Sequence, residues 1–264
     1  MTVTEGLPAD LAVQLDELAP QAAQAKHIAV LTGAGVSAES GIPTFRESQT
    51  GLWEKHDPVM LASPEGFAQD PAQVWRWYDE RRQAMSKCKP NPGHIALAQW
   101  EQCWRELGRS FRVITQNIDG LHEQSGSREI IELHGNIWYV RPVRGGMHEA
   151  KPLLECPLQQ IPPRDSQGRM LRPHVVWFGE MLDRAVLEEG IRQAEECELM
   201  LVAGTSSIVY PAAALPYAVL QRRAIVVEVN PNATELSSQA TYSLRGASGV
   251  VLPELWQRVT ELVP

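Results

Sequence analysis

The chain has 264 residues, of which 44% are hydrophobic and 21% charged, and its formal net charge at pH 7 is −8. This size fits one large domain, or a large domain with a small insertion. A sequence-independent nucleic-acid binder needs surplus Lys and Arg to neutralise phosphates, so we expect no stable nucleic-acid binding. No stretch approaches the roughly 18 apolar residues of a membrane span, and the N-terminus does not resemble a signal peptide. The four cysteines lie far apart without CxxC spacing, so we expect a soluble cytoplasmic protein.

The predicted elements alternate between helices and buried strands. Apolar residues at helical spacing predict a first helix over residues 7–24. Short apolar runs predict strands at residues 27–32, 112–115, 199–203 and 224–229, and helical stretches at residues 94–107, 183–196 and 211–222 precede the last three. This alternation predicts an α/β fold with a doubly wound parallel, Rossmann-like sheet and helices on both faces. Ligands of such sheets bind at the carboxyl ends of the strands.

Two segments interrupt this pattern. Residues 44–69 form a long connection of the kind that often serves as a lid, and residues 141–172 are rich in Pro, Gly and charge, which indicates a small inserted subdomain. We therefore predict a single catalytic domain over residues 1–264. Within it, the large domain takes residues 27–46, 94–134 and 173–256, the lid loop and a helical module take 47–93, and the small subdomain takes 135–172.

Short motifs carry the chemistry. The first, GAGVSA at residues 33–38, fits the G-x-G-x-x-A turn whose glycines let the backbone approach a pyrophosphate, although this signal is weak alone. The others are TQNID at 115–119, LHG at 133–135, HVVWFGE at 174–180 and GTSS at 204–207. This ordered set resembles the sirtuin family, and the resemblance covers residues 27–256.

The resemblance implies an NAD-dependent enzyme that removes acyl groups from protein lysines and yields nicotinamide, O-acyl-ADP-ribose and free lysine. It implies that His134 is the base that activates a ribose hydroxyl, and that Asn117 is a second catalytic residue. An imidazole suits the role because its pKa near 6.5 leaves it neutral yet basic at pH 7. A structural histidine, and an Asx-rich turn around residues 117–119, are the alternatives.

The resemblance also implies the binding residues. Val176, Phe178, Gly179 and Glu180 match a strand that pairs with the backbone of an extended substrate peptide. The residues expected to bind NAD are Gly33, Ala34, Gly35, Ser37, Ala38, Phe45, Arg46, Gln116, Asn117, Ile118, Asp119, Gly204, Thr205, Ser206, Asn230 and Ser248.

Residues 74–85, VWRWYDERRQAM, are similar to the class III sirtuins, which remove succinyl, malonyl and glutaryl groups. In that resemblance Tyr78 and Arg81 recognise the distal carboxylate, and the small Ala62 leaves room for a longer acyl chain. Tyr78 and Arg81 are three residues apart, so on a helix they share one face, and a guanidinium can hold a carboxylate with two hydrogen bonds. The alternative is an exposed amphipathic helix on which Arg81 and Arg82 are solvated.

The sequence departs from the family in the small subdomain. Sirtuins usually bind a structural zinc there through two CxxC pairs, but residues 134–172 contain one cysteine, Cys156. We therefore predict no zinc, and we expect Trp138, Tyr139, Leu153, Leu154 and Ile161 to form a compact apolar core instead.

Three other functions remain open from the sequence. The chain could be an NAD glycohydrolase or ADP-ribosyltransferase, a deacetylase without preference for acidic acyl groups, or a non-catalytic NAD sensor. The intact QNID and LHG motifs favour catalysis over sensing.

Overall fold

The computed structural model of the protein describes residues 7–44 and 58–264. The helices are, in chain order, α1 (Ala9–Gln24), α2 (Gly35–Ala38), α3 (Pro58–Leu61), α4 (Pro64–Gln69), α5 (Pro71–Met85), α6 (Pro92–Glu106), α7 (Leu121–Ser125), α8 (Arg184–Glu196), α9 (Ala214–Gln221) and α10 (Ser248–Thr260). The strands are β1 (His27–Thr32), β2 (Ser110–Thr115), β3 (Ile130–Glu132), β4 (Gly135–Pro142), β5 (Lys151–Pro152), β6 (Leu171–Val175), β7 (Leu199–Ala203), β8 (Ile225–Val229) and β9 (Tyr242–Leu244). Within these ranges, no helix has the length and apolar character needed to cross a membrane.

Six strands form one parallel sheet in the order β3-β2-β1-β7-β8-β9. The order reverses direction at β1, since the chain builds outward from this strand first to one side and then to the other. The register aligns Thr32 with Thr115 and with Ala203, so the carboxyl ends of the central strands lie side by side. The predicted α/β class is therefore confirmed.

The sheet is buried on both faces, which explains why its strands are continuous apolar runs. Alternate strand residues such as Val30 and Leu201 pack with α1, α6 and α10 on one face. Their neighbours, such as Leu31 and Val202, pack with α8 and α9 on the other. Because the side chains of a strand alternate in direction, each apolar run contributes to both cores.

A second, antiparallel sheet in the order β5-β4-β6 forms the small subdomain. Helix α5 packs against it, and Trp75 on this helix donates a hydrogen bond of 2.8 Å to the carbonyl of Leu171 on β6. A hydrophobic cluster forms between α5 and the small sheet. Of the residues expected in the subdomain core, Trp138, Leu153 and Ile161 do pack against this cluster. Leu154 does not, because 82% of its surface is exposed, so that prediction is wrong.

The connection that follows the nucleotide-type turn is more ordered than the sequence suggested. Its described end forms the short helices α3 and α4, which the prediction of a continuous loop missed. Ser63 caps α4, since its hydroxyl accepts a 3.1 Å hydrogen bond from the backbone N–H of Gly66, and Pro64 occupies the first helical turn. This pattern of Ser, Pro and Gly resembles a turn in sequence but starts a helix.

Candidate active site

The carboxyl ends of β1 and β7 meet in a turn that requires glycine. The backbone N–H of Gly35 donates a 2.7 Å hydrogen bond to the carbonyl of Gly204, and Gly204 has a φ of +63°. A Cβ added at Gly35 lies only 2.7 Å from the Gly204 backbone, so a larger residue would separate the two turns. The glycines of the GAG motif therefore bring the two strand ends together.

Polar side chains extend this contact across the sheet edge. Gln116, which follows β2, donates from Nε2 to the hydroxyl of Thr205 at 3.1 Å. Asn230, which follows β8, donates from Nδ2 to the Thr205 carbonyl at 3.0 Å, and Asn117 donates to the Gly33 carbonyl at 3.0 Å. The structure thus brings Gln116, Asn117 and Asn230 together with Thr205 and the glycines of the two turns at one edge. Their amide and hydroxyl groups, beside closely packed glycine backbone, suit the hydroxyls and phosphates of a dinucleotide.

His134 lies at the same edge, directly before β4. Its Nδ1 is 2.9 Å from the carbonyl oxygen of Gln116. A carbonyl only accepts hydrogen bonds, so Nδ1 carries the proton and Nε2 keeps its lone pair in the neutral ring. Burial lowers the pKa of His134, while the hydrogen bond to Gln116 opposes that shift. The ring is therefore a neutral base at pH 7.

Ser37 and Asp119 are buried beneath the sheet edge and are hydrogen-bonded to each other. The hydroxyl of Ser37 donates to Asp119 Oδ2 at 2.8 Å and accepts from Asn117 Nδ2 at 3.1 Å. Asp119 also caps α7 through the N–H of Leu121 at 2.9 Å. Burial raises the pKa of Asp119, and its hydrogen bonds oppose that shift. Because Ser37 is held by Asp119, its hydrogen bond with Asn117 fixes the orientation of the Asn117 side chain.

Two buried histidines complete this network, and the sequence reading missed both. His94 Nε2 is 3.4 Å from the Ser37 hydroxyl, and its ring lies 4.8 Å from that of His122. His122 Nε2 in turn is 3.0 Å from the hydroxyl of Thr32 at the end of β1. Burial lowers the pKa of His94 to about 4 and that of His122 to about 3. Neither histidine lies in a motif, so only their burial identifies them.

These histidines predict how stability depends on pH. The unfolded chain protonates both rings as the pH falls below 6.5, whereas the folded chain does not until about pH 4 and about pH 3. Stability is therefore full above pH 6.5 and decreases on acidification, by about 2 kcal/mol per histidine at pH 5. Urea unfolding at pH 7 and pH 5 measures this decrease in the free energy of unfolding. In a His122→Gln variant, we expect the decrease to be smaller by about 2 kcal/mol.

A carboxylate with the opposite shift provides the control. Burial raises the pKa of Glu132 to about 7, so its ionisation reduces stability as the pH rises from 4.5 towards 7. A Glu132→Gln variant should therefore lose more stability on acidification than the parent protein. Equal pH profiles for the parent and His122→Gln proteins would contradict the assignment of a neutral buried pair.

For the other predicted binding residues, the structure gives surroundings but does not test a contact with NAD. Phe45 and Arg46 fall outside the described residues. Ser248 starts α10 and is 2% exposed, and its predicted contact with NAD stays a prediction. Ala34 is partly exposed in the glycine turn, Ala38 is exposed at the end of α2, and Ser206 is exposed after β7. Ile118 contributes its backbone carbonyl, which accepts a 2.9 Å hydrogen bond from the N–H of Ile137.

Residues 176–180 are not part of a strand in this structure, and their predicted pairing with a substrate peptide stays a prediction. Strand β6 ends at Val175, and Gly179, with a φ of +84°, lies in the turn that follows. The backbone N–H groups are already used, since that of Val176 donates to the His134 carbonyl and that of Phe178 to the Ala62 carbonyl. The carboxylate of Glu180 accepts two hydrogen bonds from Arg172, at 2.6 and 2.8 Å, instead of facing open space.

The predicted acyl-recognition pair lies on α5. Tyr78 is 2% exposed, and burial raises its pKa to about 12. The Arg81 guanidinium lies 4.8 Å from the centre of the Trp77 ring and 6.0 Å from that of Tyr78. Burial lowers the pKa of Arg81, and the nearby Tyr78 and Asp119 oppose that shift. Arg82 is not solvated, because it is fully buried and forms an ion pair with Asp79 at 3.7 Å.

Comparison with known proteins gives the family. A family model described as "Sir2 family" matches residues 33–211. The NAD-dependent protein deacylase of Methylococcus capsulatus is 47% identical over 256 residues, which cover 94% of this chain and 98% of the relative. A solved Sir2 homologue in complex with NAD aligns with a TM-score of 0.85 and 42% identity, covering 98% of this chain and 96% of the other. The structure of Sir2Af2 bound to a myristoylated histone peptide aligns with a TM-score of 0.75 and 32% identity, covering 95% and 98%.

The architecture is that of a Rossmann-like α/β protein with a small subdomain. Its similarity in sequence and structure extends over nearly the whole chain, so this protein belongs to the Sir2 family, the sirtuins.

Proposed function

We propose that this protein removes acyl groups from protein lysines in an NAD-dependent reaction and prefers acyl chains that end in a carboxylate. The first half follows from the family, whose relatives at this level of identity are named NAD-dependent protein deacylases. The second half rests on one observation, the placement of the Arg81 guanidinium beside Tyr78 and within electrostatic reach of Asp119 in the QNID turn.

A carboxylate-specific site needs a fixed cation, and Arg81 is held as one. Its guanidinium lies over the Trp77 ring, and this contact limits the rotation of the side chain. The charges of Arg81 and Asp119 influence each other's pKa, which supports a position of the guanidinium near the QNID turn. A succinyl, malonyl or glutaryl carboxylate can accept two parallel hydrogen bonds from such a group, and an acetyl group cannot.

The lysine end of the substrate would lie against the surface that Ala62 and Phe178 form together. The 2.8 Å hydrogen bond from the Phe178 N–H to the Ala62 carbonyl joins these two segments. The Phe178 side chain is 48% exposed, which offers an apolar wall for the lysine methylenes. Because the neighbouring N–H groups are used internally, we propose that the protein binds an extended peptide through the remaining backbone groups of residues 178–181.

NAD would supply the ADP-ribose to which the acyl group is transferred and would release nicotinamide. The residues proposed to hold it are those at the sheet edge described above. Nε2 of His134 is the available proton acceptor, and the carbonyl of Gln116 holds the ring in the required tautomer. Asn117 is fixed by Ser37 and Gly33 at the adjoining turn, where its amide carbonyl can accept a hydrogen bond from water or substrate.

One assay tests the proposal. Matched peptides carrying succinyl-, malonyl-, glutaryl- or acetyl-lysine are incubated with NAD, and products are identified by mass spectrometry. We expect O-acyl-ADP-ribose in every productive case, with the acidic acyl peptides at least tenfold better in kcat/KM than the acetyl peptide. Equal kcat/KM values would reject the acidic preference, and ADP-ribose formed without a peptide would indicate an NAD glycohydrolase instead.

We also propose that the small subdomain folds without zinc. Among residues 7–44 and 58–264, no group of three or more His, Cys, Asp or Glu is placed to bind a metal ion. Other contacts tie the subdomain together instead. The buried Arg82 on α5 donates to the Leu153 carbonyl, Asp79 accepts from the Leu158 N–H at 3.1 Å, and Arg169 pairs with Asp165 at 2.7 Å.

The expected result is therefore a protein indifferent to chelators. Elemental analysis of the purified protein should find far less than one equivalent of zinc, and EDTA should leave its melting temperature unchanged. An Arg82→Met variant, which removes the buried link to the subdomain and leaves Asp79 unpaired, should lower stability by about 3 kcal/mol. One equivalent of bound zinc would reject the proposal directly.

A further inference from the structure

The Tyr78 hydroxyl has one partner among the described residues, and that partner fixes its direction. The indole Nε1 of Trp177 lies 2.9 Å from Tyr78 Oη. An indole nitrogen can only donate, so Tyr78 must accept in this hydrogen bond. Since Tyr78 is 2% exposed, bulk water does not compete for the bond.

An accepted hydrogen bond leaves the hydroxyl hydrogen of Tyr78 to point elsewhere. Within the described parts of the chain, no residue accepts this hydrogen. Burial raises the pKa of Tyr78 to about 12, so the phenol stays protonated at any physiological pH. Tyr78 is therefore a permanent donor, and a buried donor favours a ligand that carries an acceptor.

The orientation of Trp177 is itself fixed from several sides. The Arg172 guanidinium lies 3.5 Å from the centre of the Trp177 ring, and the Phe67 ring packs 5.1 Å away. The backbone N–H of Trp177 donates to Glu180 Oε2 at 2.9 Å, and the same carboxylate pairs with Arg172. The Arg172–Glu180 pair therefore clamps both the ring and the backbone of Trp177.

We propose that Trp177 is a specificity-determining positioning residue, which occupies the acceptor side of the Tyr78 hydroxyl and leaves its hydrogen to donate to the carboxylate of an acidic acyl group. This inference rests on the proposed preference for acidic acyl chains. Trp177 does not touch the acyl group in this scheme and acts only through Tyr78. Through its hydrogen bond to Tyr78, Trp177 of the HVVWFGE motif connects the FGE segment to helix α5.

The test compares Trp177→Phe with the parent protein on matched succinyl- and acetyl-lysine peptides. Phenylalanine keeps an aromatic ring against Phe67 and Arg172 but removes the N–H donor. We expect KM for the succinyl peptide to rise about three- to thirtyfold, with kcat and the acetyl-peptide constants changed less than twofold. Trp75→Phe is the matched control, because Trp75 lies in the same cluster but donates to the Leu171 carbonyl. It should not alter the succinyl-to-acetyl ratio.

The Tyr78→Phe variant keeps the test decisive if Trp177→Phe folds poorly. Tyr78→Phe should lower the succinyl-to-acetyl ratio by itself, and adding Trp177→Phe to it should cause no further change in that ratio. An unchanged ratio in Tyr78→Phe, or equal effects of Trp177→Phe on both peptides, would overturn the inference. If the parent shows no preference for succinyl and Arg81→Met changes nothing, the proposed function fails as well. If Arg81→Met abolishes the preference but the Trp177 and Tyr78 variants keep it, only the inference on Trp177 fails.

Discussion

Replacing His134 with alanine should reduce the rate of O-acyl-ADP-ribose formation by about 100- to 10,000-fold. The Gln116 carbonyl holds Nδ1 of this ring and leaves Nε2 as a neutral proton acceptor. Alanine removes the acceptor and the hydrogen bond to the Gln116 carbonyl, but none of the backbone–backbone hydrogen bonds of the turn. We therefore expect the loss in single-turnover rate, while NAD and peptide affinities measured by calorimetry change little. A fall in affinity that accounts for the whole loss would contradict a role in proton transfer.

The matched control is His148→Ala. His148 is exposed in the small subdomain, so its removal tests the general effect of deleting a histidine. The variant should retain at least half of the parent rate. The remaining rate in His134→Ala should also lose the acidic limb of the pH–rate profile, which lies below pH 6.5 because burial lowers the pKa of His134.

The sheet could be predicted from the sequence because its strands have no polar face. The predicted bounds of β1 and β7, His27–Thr32 and Leu199–Ala203, coincide with the observed ones. Parallel strands buried on both faces are short, continuous apolar runs, and such runs between helices have few other structures to form. The short strand β9, of three residues, was not predicted, because a segment of this length carries no distinct pattern.

The motifs predicted which turns meet at the sheet edge, but not the burial or the hydrogen-bond partners of each side chain. Ser37 and Asp119 lie in motifs, yet both are buried and bonded to each other instead of being open to a ligand. Glu180 also lies in a motif and forms an ion pair with Arg172. Burial depends on residues far away in the chain, which a local pattern does not contain. The same reason explains why the His94 and His122 pair went unnoticed.

The small subdomain was the least predictable part. Its segment from residue 141 to 172 has little periodicity, and its contacts come from α5, which precedes it by some 60 residues. The alternative of a solvated helix face at Arg81 and Arg82 does not hold for Arg82, because its ion pair with Asp79 is buried. Here the pair satisfies backbone groups of the subdomain, at Leu153 and Leu158, that have no strand partner.

Replacing Arg81 with methionine should lower kcat/KM for a succinyl-lysine peptide by about 10- to 100-fold. Methionine preserves the length and apolar contact of the side chain near Trp77 but removes the charge and the hydrogen-bond donors. The acetyl peptide has no distal carboxylate, so its kcat/KM should stay within about twofold of the parent value. Steady-state kinetics on peptides that differ only in the acyl group measures the ratio directly.

Two further variants distinguish specific recognition of the acyl carboxylate by Arg81 from a general effect of positive charge on α5. Arg76→Met removes an exposed arginine from the same helix, α5, and should leave the succinyl-to-acetyl ratio unchanged. Arg81→Lys retains a cation but not the planar fork, so it should recover only part of the succinyl activity. If Arg76→Met shifted the ratio as much as Arg81→Met, the preference would arise from the general charge of the helix. A ratio lost only at position 81 would instead locate the acyl carboxylate at this guanidinium, between α5 and the QNID turn.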